Sequence, residues 1–324
     1  MKAIYVREKN GLLSASVETV ETPNIKDGEV LIKAEYSGLN YKDALGVTGR
    51  ASIYKKMPII AGIDVAGEVS ASKDPRFQPG DPVVVTGCGL GETHDGGYAE
   101  FVVERADLVV KRPKPLSARE AMIYGTAGFT ACLAVARMQQ NGQTPEMGPI
   151  VVTGASGGVG QFAVQFFSQK KYQVWAVSGK PAMRERLLKL GAVKVLAPSD
   201  LEPATRPLEK VRFGGVVDNV GGKLLAGLIP QVELWGNVAC IGLAEGAELH
   251  TTVMPLILRG VSLLGISSNN TTWPLRLKIW QSLAEEFKSS LDAFVSGEMA
   301  LEELIPTAHQ MLARETTGRY LLKL

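Results

Sequence analysis

Two rhythms of apolar residues divide the chain. Up to about Tyr124, short runs rich in β-branched residues follow one another closely at 30–36, 62–69, 82–86 and 98–103, with residues 1–6 as a further strand. Pro79-Gly80-Asp81 and the Gly96-Gly97 pair punctuate them. Strands this short and close predict a small β-barrel domain over residues 1–124. Two stretches of helical composition, 118–123 and 130–136, lead onward across a Gly-Thr-Ala-Gly turn at 125–128. From Ile150 strands and helices alternate, with strand candidates at 150–153, 173–177, 193–196, 216–220, 237–241 and 261–266. Amphipathic segments lie between them, such as 183–190, which Gly191 closes as a helix stop. Six strands in this order predict a doubly wound parallel sheet over residues 125–270, so the fold class is α/β. Beyond Ser268 the alternation ends. Residues 276–295 read as a helix with apolar positions 277, 279, 280, 283 and 287, and 318–324 as a last strand. This segment, 271–324, is expected to return to the first domain.

The stretch from Val151 to Gly160 is where the pattern acquires chemistry. A short apolar run ends in Gly154-Ala155-Ser156-Gly157-Gly158-Val159-Gly160, and a helix follows over 161–168. A strand, a small-residue turn and a helix start form a phosphate cradle. Glycine at 157 admits a pyrophosphate close to the backbone, glycine at 160 lets helix and strand approach, and the first-turn amides face the anion. Ala155 stands at the first position of G-x-G-x-x-G. Ser156, Gly157, Gly158 and Val159 are therefore candidate cofactor contacts.

The next strand candidate ends in Ser178-Gly179-Lys180. A site for NAD carries an acidic residue at this tip for the ribose hydroxyls, but residues 161–184 contain none. Ser178, Gly179 and Lys180, with Arg184 nearby, suit a ribose 2′-phosphate instead, which favours NADPH over NADH. Two plainer readings stay open here: a glycine-rich turn in an unrelated α/β domain, and a solvated helix start at Lys180 and Arg184.

Composition narrows the classes. A chain of 324 residues with 45% hydrophobic residues is long enough for two cores. A net charge of +2 shows no basic surface for nucleic acid or for a membrane, so a phosphate-bearing ligand must be met by a local cluster. Cys88, Cys132 and Cys240 are scattered and odd in number, which points to a reducing compartment. The chain begins directly as a strand with no charged leader, and no apolar run approaches the length of a membrane span. A cytoplasmic protein is expected.

The order of elements, together with five motifs, resembles the medium-chain dehydrogenase/reductase superfamily. The motifs run from Ser37 to Asp43, Gly62 to Gly67, Gly96 to Glu100, Gly125 to Ala131 and Gly154 to Gly160. Within it the chain is similar to the zinc-free quinone oxidoreductase branch, and most of all to its acrylyl-CoA reductase group. The stretches 74–77, 206–210 and 251–259 carry that finer likeness. The resemblance implies a GroES-like β-barrel catalytic domain, a Rossmann sheet, an inter-domain cleft, a homodimer, and NADPH-dependent reduction of an activated carbon–carbon double bond. Zinc-dependent relatives have a cysteine where this chain has Asn40, a His-Glu pair where it has Ile63-Asp64, and a further ligand near Thr126. Of these only Asp64 suits a metal, so no metal is expected.

By the same resemblance, Asn40 and Tyr41 face the nicotinamide. Tyr41 is the candidate hydrogen-bond donor and proton source, Asn40 is expected to orient the substrate carbonyl, and Asp43 to brace the turn. Leu243, Ile257 and Ser268 are expected on the nicotinamide side. The Asp218–Gly222 turn stands either by the ribose or as a simple turn, and His94 is a weaker candidate for substrate contact. Arg50, Lys55, Lys56 and Arg76 are basic residues available to a CoA tail. A nicotinamide delivers hydride unaided to a carbon that is already electrophilic, so reduction of acrylyl-CoA to propionyl-CoA leads. A quinone or enone reductase is the alternative, and a cofactor-binding protein without turnover is a third reading.

Overall fold

The chain opens as a hairpin. β1 (Lys2–Lys9) and β2 (Leu12–Thr19) pair antiparallel, and Asn10 and Gly11 between them take positive φ, 55° and 75°. An Asn-Gly turn favours that backbone. β3 (Glu29–Leu39) and the short helix α1 (Tyr41–Val47) come next, then β4 (Ile59–Ile60), which joins β1 to make a sheet in the order β2-β1-β4. β5 (Asp64–Ser72), β6 (Pro82–Thr86), β7 (Phe101–Arg105) and β8 (Val110–Lys111) build a second sheet on β3. Val30, Ile32 and Ala34, every second residue of β3, meet Val65, Val69, Val83, Val85 and Val102 in one apolar core.

α2 (Ala118–Gln140) runs where the sequence predicts two helices joined by a four-residue turn. The break is confined to Gly125, at φ 47° and ψ −154°. Among the described residues α2 is the one helix long and apolar enough to cross a membrane, against the expectation from sequence. Because 83% of its apolar window is buried inside the protein, that composition belongs to a core. Residues 1–201, 204–287 and 290–324 are described, in a computed structural model. They divide into a first unit, residues 1–126 with 268–324, and a second, residues 127–267.

The second unit is built from β9 (Ile150–Val152), α3 (Gly158–Gln169), β10 (Val174–Val177), α4 (Arg184–Lys189), β11 (Lys194–Leu196), β12 (Phe213–Asp218), α5 (Gly222–Leu228), β13 (Val232–Cys240), α6 (Met254–Arg259) and β14 (Ser262–Gly265). The strands form one parallel sheet in the order β11-β10-β9-β12-β13-β14. β9 and β12 are buried along their whole length, as central parallel strands are. The order reverses at β9, and in such sheets a ligand binds beyond the carboxyl ends of the strands at the reversal.

α7 (Trp273–Glu285), β15 (Val295–Met299), α8 (Leu301–Leu312) and β16 (Arg319–Lys323) belong to the first unit. β16 pairs with β15 and with β3, completing the path β15-β16-β3-β5-β6-β8, with β7 also on β3. The described residues of the first unit thus form a three-stranded and a seven-stranded sheet, joined by the Ala3–Ala99 bridge. The helix predicted over 276–295 starts earlier, at Trp273, and ends at Glu285. Of its remainder, residues 288 and 289 lie outside the described residues and 291–294 form a 3₁₀ turn. Ile279, Trp280, Leu283 and Phe287 are buried as their spacing predicts, whereas Leu277 is exposed. α8 is not foreseen from sequence. Leu301, Leu304 and Ala308 bury against Leu39 and Val47, and the Ala300 amide donates to the Glu303 carboxylate at 2.9 Å as a helix cap.

Candidate active site

The glycine loop of the second unit closes on itself before the helix begins. Gly154 turns the chain at φ 58°, the Ala155 amide donates to the Val177 carbonyl at 3.0 Å, and the Gly157 amide donates to the Gly154 carbonyl at 3.0 Å. The first of these bonds ties the loop to the carboxyl end of β10. α3 starts at Gly158, three residues before the predicted helix, so Gly158, Val159 and Gly160 supply its first turn. Their amides have no acceptor within the helix, and the positive end of its dipole adds to them. Gln161, which the sequence reading passes over, donates from Nε2 to the Ser156 carbonyl at 2.8 Å and stiffens the loop from behind. A Cβ on Gly160 would lie 2.7 Å from the Ala155 Cα, whereas a Cβ on Gly157 would meet only the Gly154 carbonyl oxygen at 3.4 Å. Gly160 is the packing glycine and Gly157 the open one. Gly160→Ala is accordingly expected to lower stability by about 1–3 kcal/mol, measured as a reduced urea midpoint.

Ser178, Gly179 and Lys180 follow β10 at the same end of the sheet. The Ser178 Oγ accepts from the Lys180 amide at 3.1 Å, which leaves the hydroxyl proton to donate elsewhere. A Cβ on Gly179 would meet nothing within 4 Å. Partial burial pushes the Lys180 ammonium below its usual pKa. The tip is an open backbone flanked by a hydroxyl and a partly desolvated cation.

Leu243 and Ile257 are 57% and 73% exposed, so neither is a core residue. Asp218 is buried, and its carboxylate accepts from the Thr153 hydroxyl at 2.6 Å and the Gly221 amide at 2.7 Å. The Asp218–Gly222 segment is thereby explained as a turn that joins the ends of β9 and β12.

In the first unit the predicted turn at Asn40 is the start of a helix. Asn40 caps α1, its amide N–H donating to the Asp43 Oδ2 at 3.0 Å, and Asp43 Oδ1 accepts from the Ile63 amide at 3.1 Å. Asp43 therefore braces both the helix and the strand entrance. The side chain of Asn40 is buried and turned inward. Its Nδ2 reaches Asp64 Oδ2 at 2.8 Å, Asp43 Oδ2 at 3.1 Å and the Gly38 carbonyl at 3.3 Å, and its Oδ1 accepts from Arg319 Nη1 at 3.0 Å. Both amide protons are committed. As placed, the Asn40 side chain has no free donor for a substrate carbonyl, contrary to the role expected from sequence. Tyr41 is the first residue of α1, 40% exposed, and its hydroxyl has no hydrogen bond among the described residues.

Burial and the neighbouring Asp64 charge push Asp43 up to about 7, against the bonds it accepts from Asn40 and Tyr98. A carboxyl raised on folding binds its proton more tightly in the native state than in the unfolded one. Its contribution to stability is complete below the unfolded value near 3.8 and is lost as pH rises through about 7. Asp43→Asn is expected to lower stability overall, because an amide nitrogen must then face a donor. It should also flatten this fall between pH 4 and 7, seen in urea midpoints measured across that range.

Ser268 falls in the first unit with Tyr41, and the other candidate cofactor contacts fall in the second. The Ser268 carbonyl accepts from Arg276 Nη2 at 2.8 Å, and Arg276 Nη1 donates to the Thr86 carbonyl at 2.6 Å. His94 is not a free imidazole: Nε2 lies 2.9 Å from the buried Glu104 carboxylate and Nδ1 lies 3.0 Å from the Thr93 hydroxyl.

The positions where zinc-dependent relatives hold metal do not fit one here. Ile63 has no ligand atom, Asn40 is spent as described, and Asp64 also accepts from the Thr126 amide at 2.9 Å and hydroxyl at 2.6 Å. Among the described residues no three His, Cys, Asp or Glu converge. The nucleotide loop, by contrast, fits a dinucleotide: an open glycine, unpaired first-turn amides and a basic tip share one end of the sheet.

Such a pairing of a GroES-like unit with a dinucleotide-binding sheet defines an oxidoreductase that uses a nicotinamide cofactor. The family model "Alcohol dehydrogenase GroES-like domain" matches residues 26–114, and "Zinc-binding dehydrogenase" matches residues 158–283. The chain belongs to the medium-chain dehydrogenase/reductase superfamily, in the quinone oxidoreductase branch that includes acrylyl-CoA reductases. It is 44% identical to the probable acrylyl-CoA reductase AcuI of Escherichia coli K12, over 100% of this chain and 99% of that one. It is 42% identical to the putative quinone oxidoreductase YhfP of Bacillus subtilis, over 100% and 98%. The crystal structure of Bacillus subtilis YhfP with NAD bound matches at a TM-score of 0.95, with 41% identity over 100% and 99% of the two chains. The yhdH oxidoreductase of Salmonella enterica in complex with NADP also matches at 0.95, with 42% identity over 100% of both.

Proposed function

We propose that the protein reduces the double bond of a short α,β-unsaturated CoA thioester, acrylyl-CoA first, with NADPH as the hydride donor. Identity of 44% over the full length to a probable acrylyl-CoA reductase is the observation that carries the reading. The hydrogen-bonded cluster of Asn40, Asp64 and Thr126, at the positions where zinc-dependent relatives hold ligands, supports a reaction that begins from an already electrophilic carbon. When bound, NADPH supplies a hydride to the β-carbon, and charge develops on the thioester oxygen.

The chain's own residues then have separate tasks. The first-turn amides at Gly158 and Val159, with Ser156 and Gly157, hold the pyrophosphate. Ser178, Gly179 and Lys180 hold the 2′-phosphate by a hydroxyl donor, an approachable backbone and a cation. Exposed Leu243 and Ile257, with Ser268, border the nicotinamide. Tyr41, which also contacts the cofactor, donates its hydroxyl to the developing oxyanion or delivers the proton to the α-carbon. Asn40 holds Tyr41 in place.

The deciding experiment is a comparison of kcat/KM for acrylyl-CoA with that for simple quinones, with propionyl-CoA identified by mass. Rapid quinone reduction beside negligible thioester reduction would favour the quinone reductase reading, which the likeness to YhfP supports. NADPH bound with no acceptor turned over would leave only a binding protein. A second copy of the chain is the expected partner, along β14 at the edge of the sheet. Trp235, Leu234, Val253 and Leu258 in the same unit are exposed apolar residues suited to such a contact. Trp235→Glu is expected to shift a dimer to monomer in sedimentation. A cytoplasmic location goes with this function.

A further inference from the structure

We propose that Arg319 is a positioning residue for the reduction, holding Tyr41 in place through Asn40. The inference rests on the reading of Tyr41 as the group that meets substrate.

Arg319 lies on β16 and is 2% exposed. Its Nε donates to the Ile123 carbonyl at 3.0 Å, Nη2 to the Met122 carbonyl at 3.3 Å, and Nη1 to the Leu39 carbonyl at 3.3 Å and to Asn40 Oδ1 at 3.0 Å. Nη2 also stands 3.9 Å from Asp64 Oδ2. The carbonyls of Met122 and Ile123 belong to the turn of α2 that ends at the Gly125 break, and a guanidinium at such an end meets acceptors the helix leaves open. Room has been made for it: a Cβ on Gly38 or Gly125 would lie 2.6 or 2.7 Å from Nη2. A cation this deeply buried is costly unless every donor is met. The fold gives Arg319 four hydrogen bonds, to three carbonyls and one side chain, and sets the Asp64 carboxylate 3.9 Å from Nη2 as the opposing charge.

That side chain decides the inference. Asn40 is gripped by Arg319 at Oδ1 and by Asp43 and Asp64 at Nδ2, and it is also the residue from which α1 starts. Tyr41 follows it directly, and its hydroxyl has no hydrogen bond among the described residues. The place of its hydroxyl is therefore set by the backbone that Asn40 anchors. A lysine at 319 keeps the charge but, as a point donor on a flexible stem, does not span Ile123 and Asn40 together.

The test is a double-mutant cycle. Arg319→Lys is expected to lower kcat for enoyl-thioester reduction about 30-fold, since misplacement by an ångström is enough for such a loss, with the Kd for NADPH within about twofold of wild type. In a Tyr41→Phe background the same substitution should change kcat less than about threefold. An equal loss in both backgrounds overturns the proposal. A second readout does not depend on activity: with 3-fluorotyrosine incorporated, the fluorine resonance of Tyr41, assigned by its disappearance in Tyr41→Phe, should shift or split in Arg319→Lys. If wild type reduces no thioester, enone or quinone, the functional reading fails and this resonance alone decides the positioning role. An unmoved resonance in a folded variant overturns it. Should Arg319→Lys not fold, Asn40→Ser keeps a helix cap while removing the link to Arg319, and carries the same two expectations.

Discussion

Tyr41→Phe is expected to reduce kcat for acrylyl-CoA reduction about 100-fold while the Kd for NADPH changes less than about threefold. The substitution removes one hydroxyl and keeps the ring. A positioned donor to a developing oxyanion is worth about 10²–10³ in kcat, and general acid catalysis about 10²–10⁴. The fold should not notice, because the hydroxyl bonds to no described residue and the side chain is 40% exposed. Melting temperature should therefore hold to within about 1–2 °C. Steady-state and stopped-flow traces of NADPH oxidation measure both quantities. A loss in kcat below about threefold would mean that water delivers the proton and that Tyr41 contributes only its ring.

Reversing the charge at the tip should have an effect of similar size on a different parameter. Lys180→Glu is expected to raise the Kd for NADPH by about 100-fold and that for NADH by less than about threefold. A unit charge about 4 Å from another interacts by about 4 kcal/mol at the effective dielectric of a protein surface. Screening and rearrangement leave roughly 3 kcal/mol of that for a reversal beside a phosphate. Partial burial already pushes the Lys180 ammonium down, so a bound dianion favours its charged form and returns part of that desolvation penalty. NADPH affinity should also fall with added salt more steeply than NADH affinity. The likeness to a relative crystallised with NAD makes this the sharper test of cofactor choice. Fluorescence titration of both nucleotides decides it, and equal weakening of the two removes the tip from phosphate recognition.

The cofactor half was legible because its signals are local. A valine run, a glycine turn and a helix lie within 20 residues, and alternation of strand and helix fixes a parallel sheet through the handedness of the crossovers. Even there one local contact is passed over, that of Gln161 with the Ser156 carbonyl five residues before it. The segment at Asn40 was half legible. Asn40 with Asp43 three positions on is a helix-start signal, yet from sequence the segment reads only as a turn. The two helices read at 118–123 and 130–136 meet at a kink, where Gly125 at φ 47° and ψ −154° takes the place of the predicted four-residue turn.

The amino-acid sequence by itself determined the class of the protein, the parallel sheet, the phosphate loop, the tip without a carboxylate and the lack of a zinc ligand set. All of these follow from residue types at short spacing. Only the tertiary structure decided what Asn40 does, since its partners Asp64 and Arg319 are 24 and 279 residues away and their contact depends on β16 pairing with β3. It also decided that Leu243 and Ile257 face solvent, which their apolar character does not reveal. Burial and long-range hydrogen bonding are set by how elements assemble, and a one-dimensional pattern records which side chains seek partners without saying which ones they find.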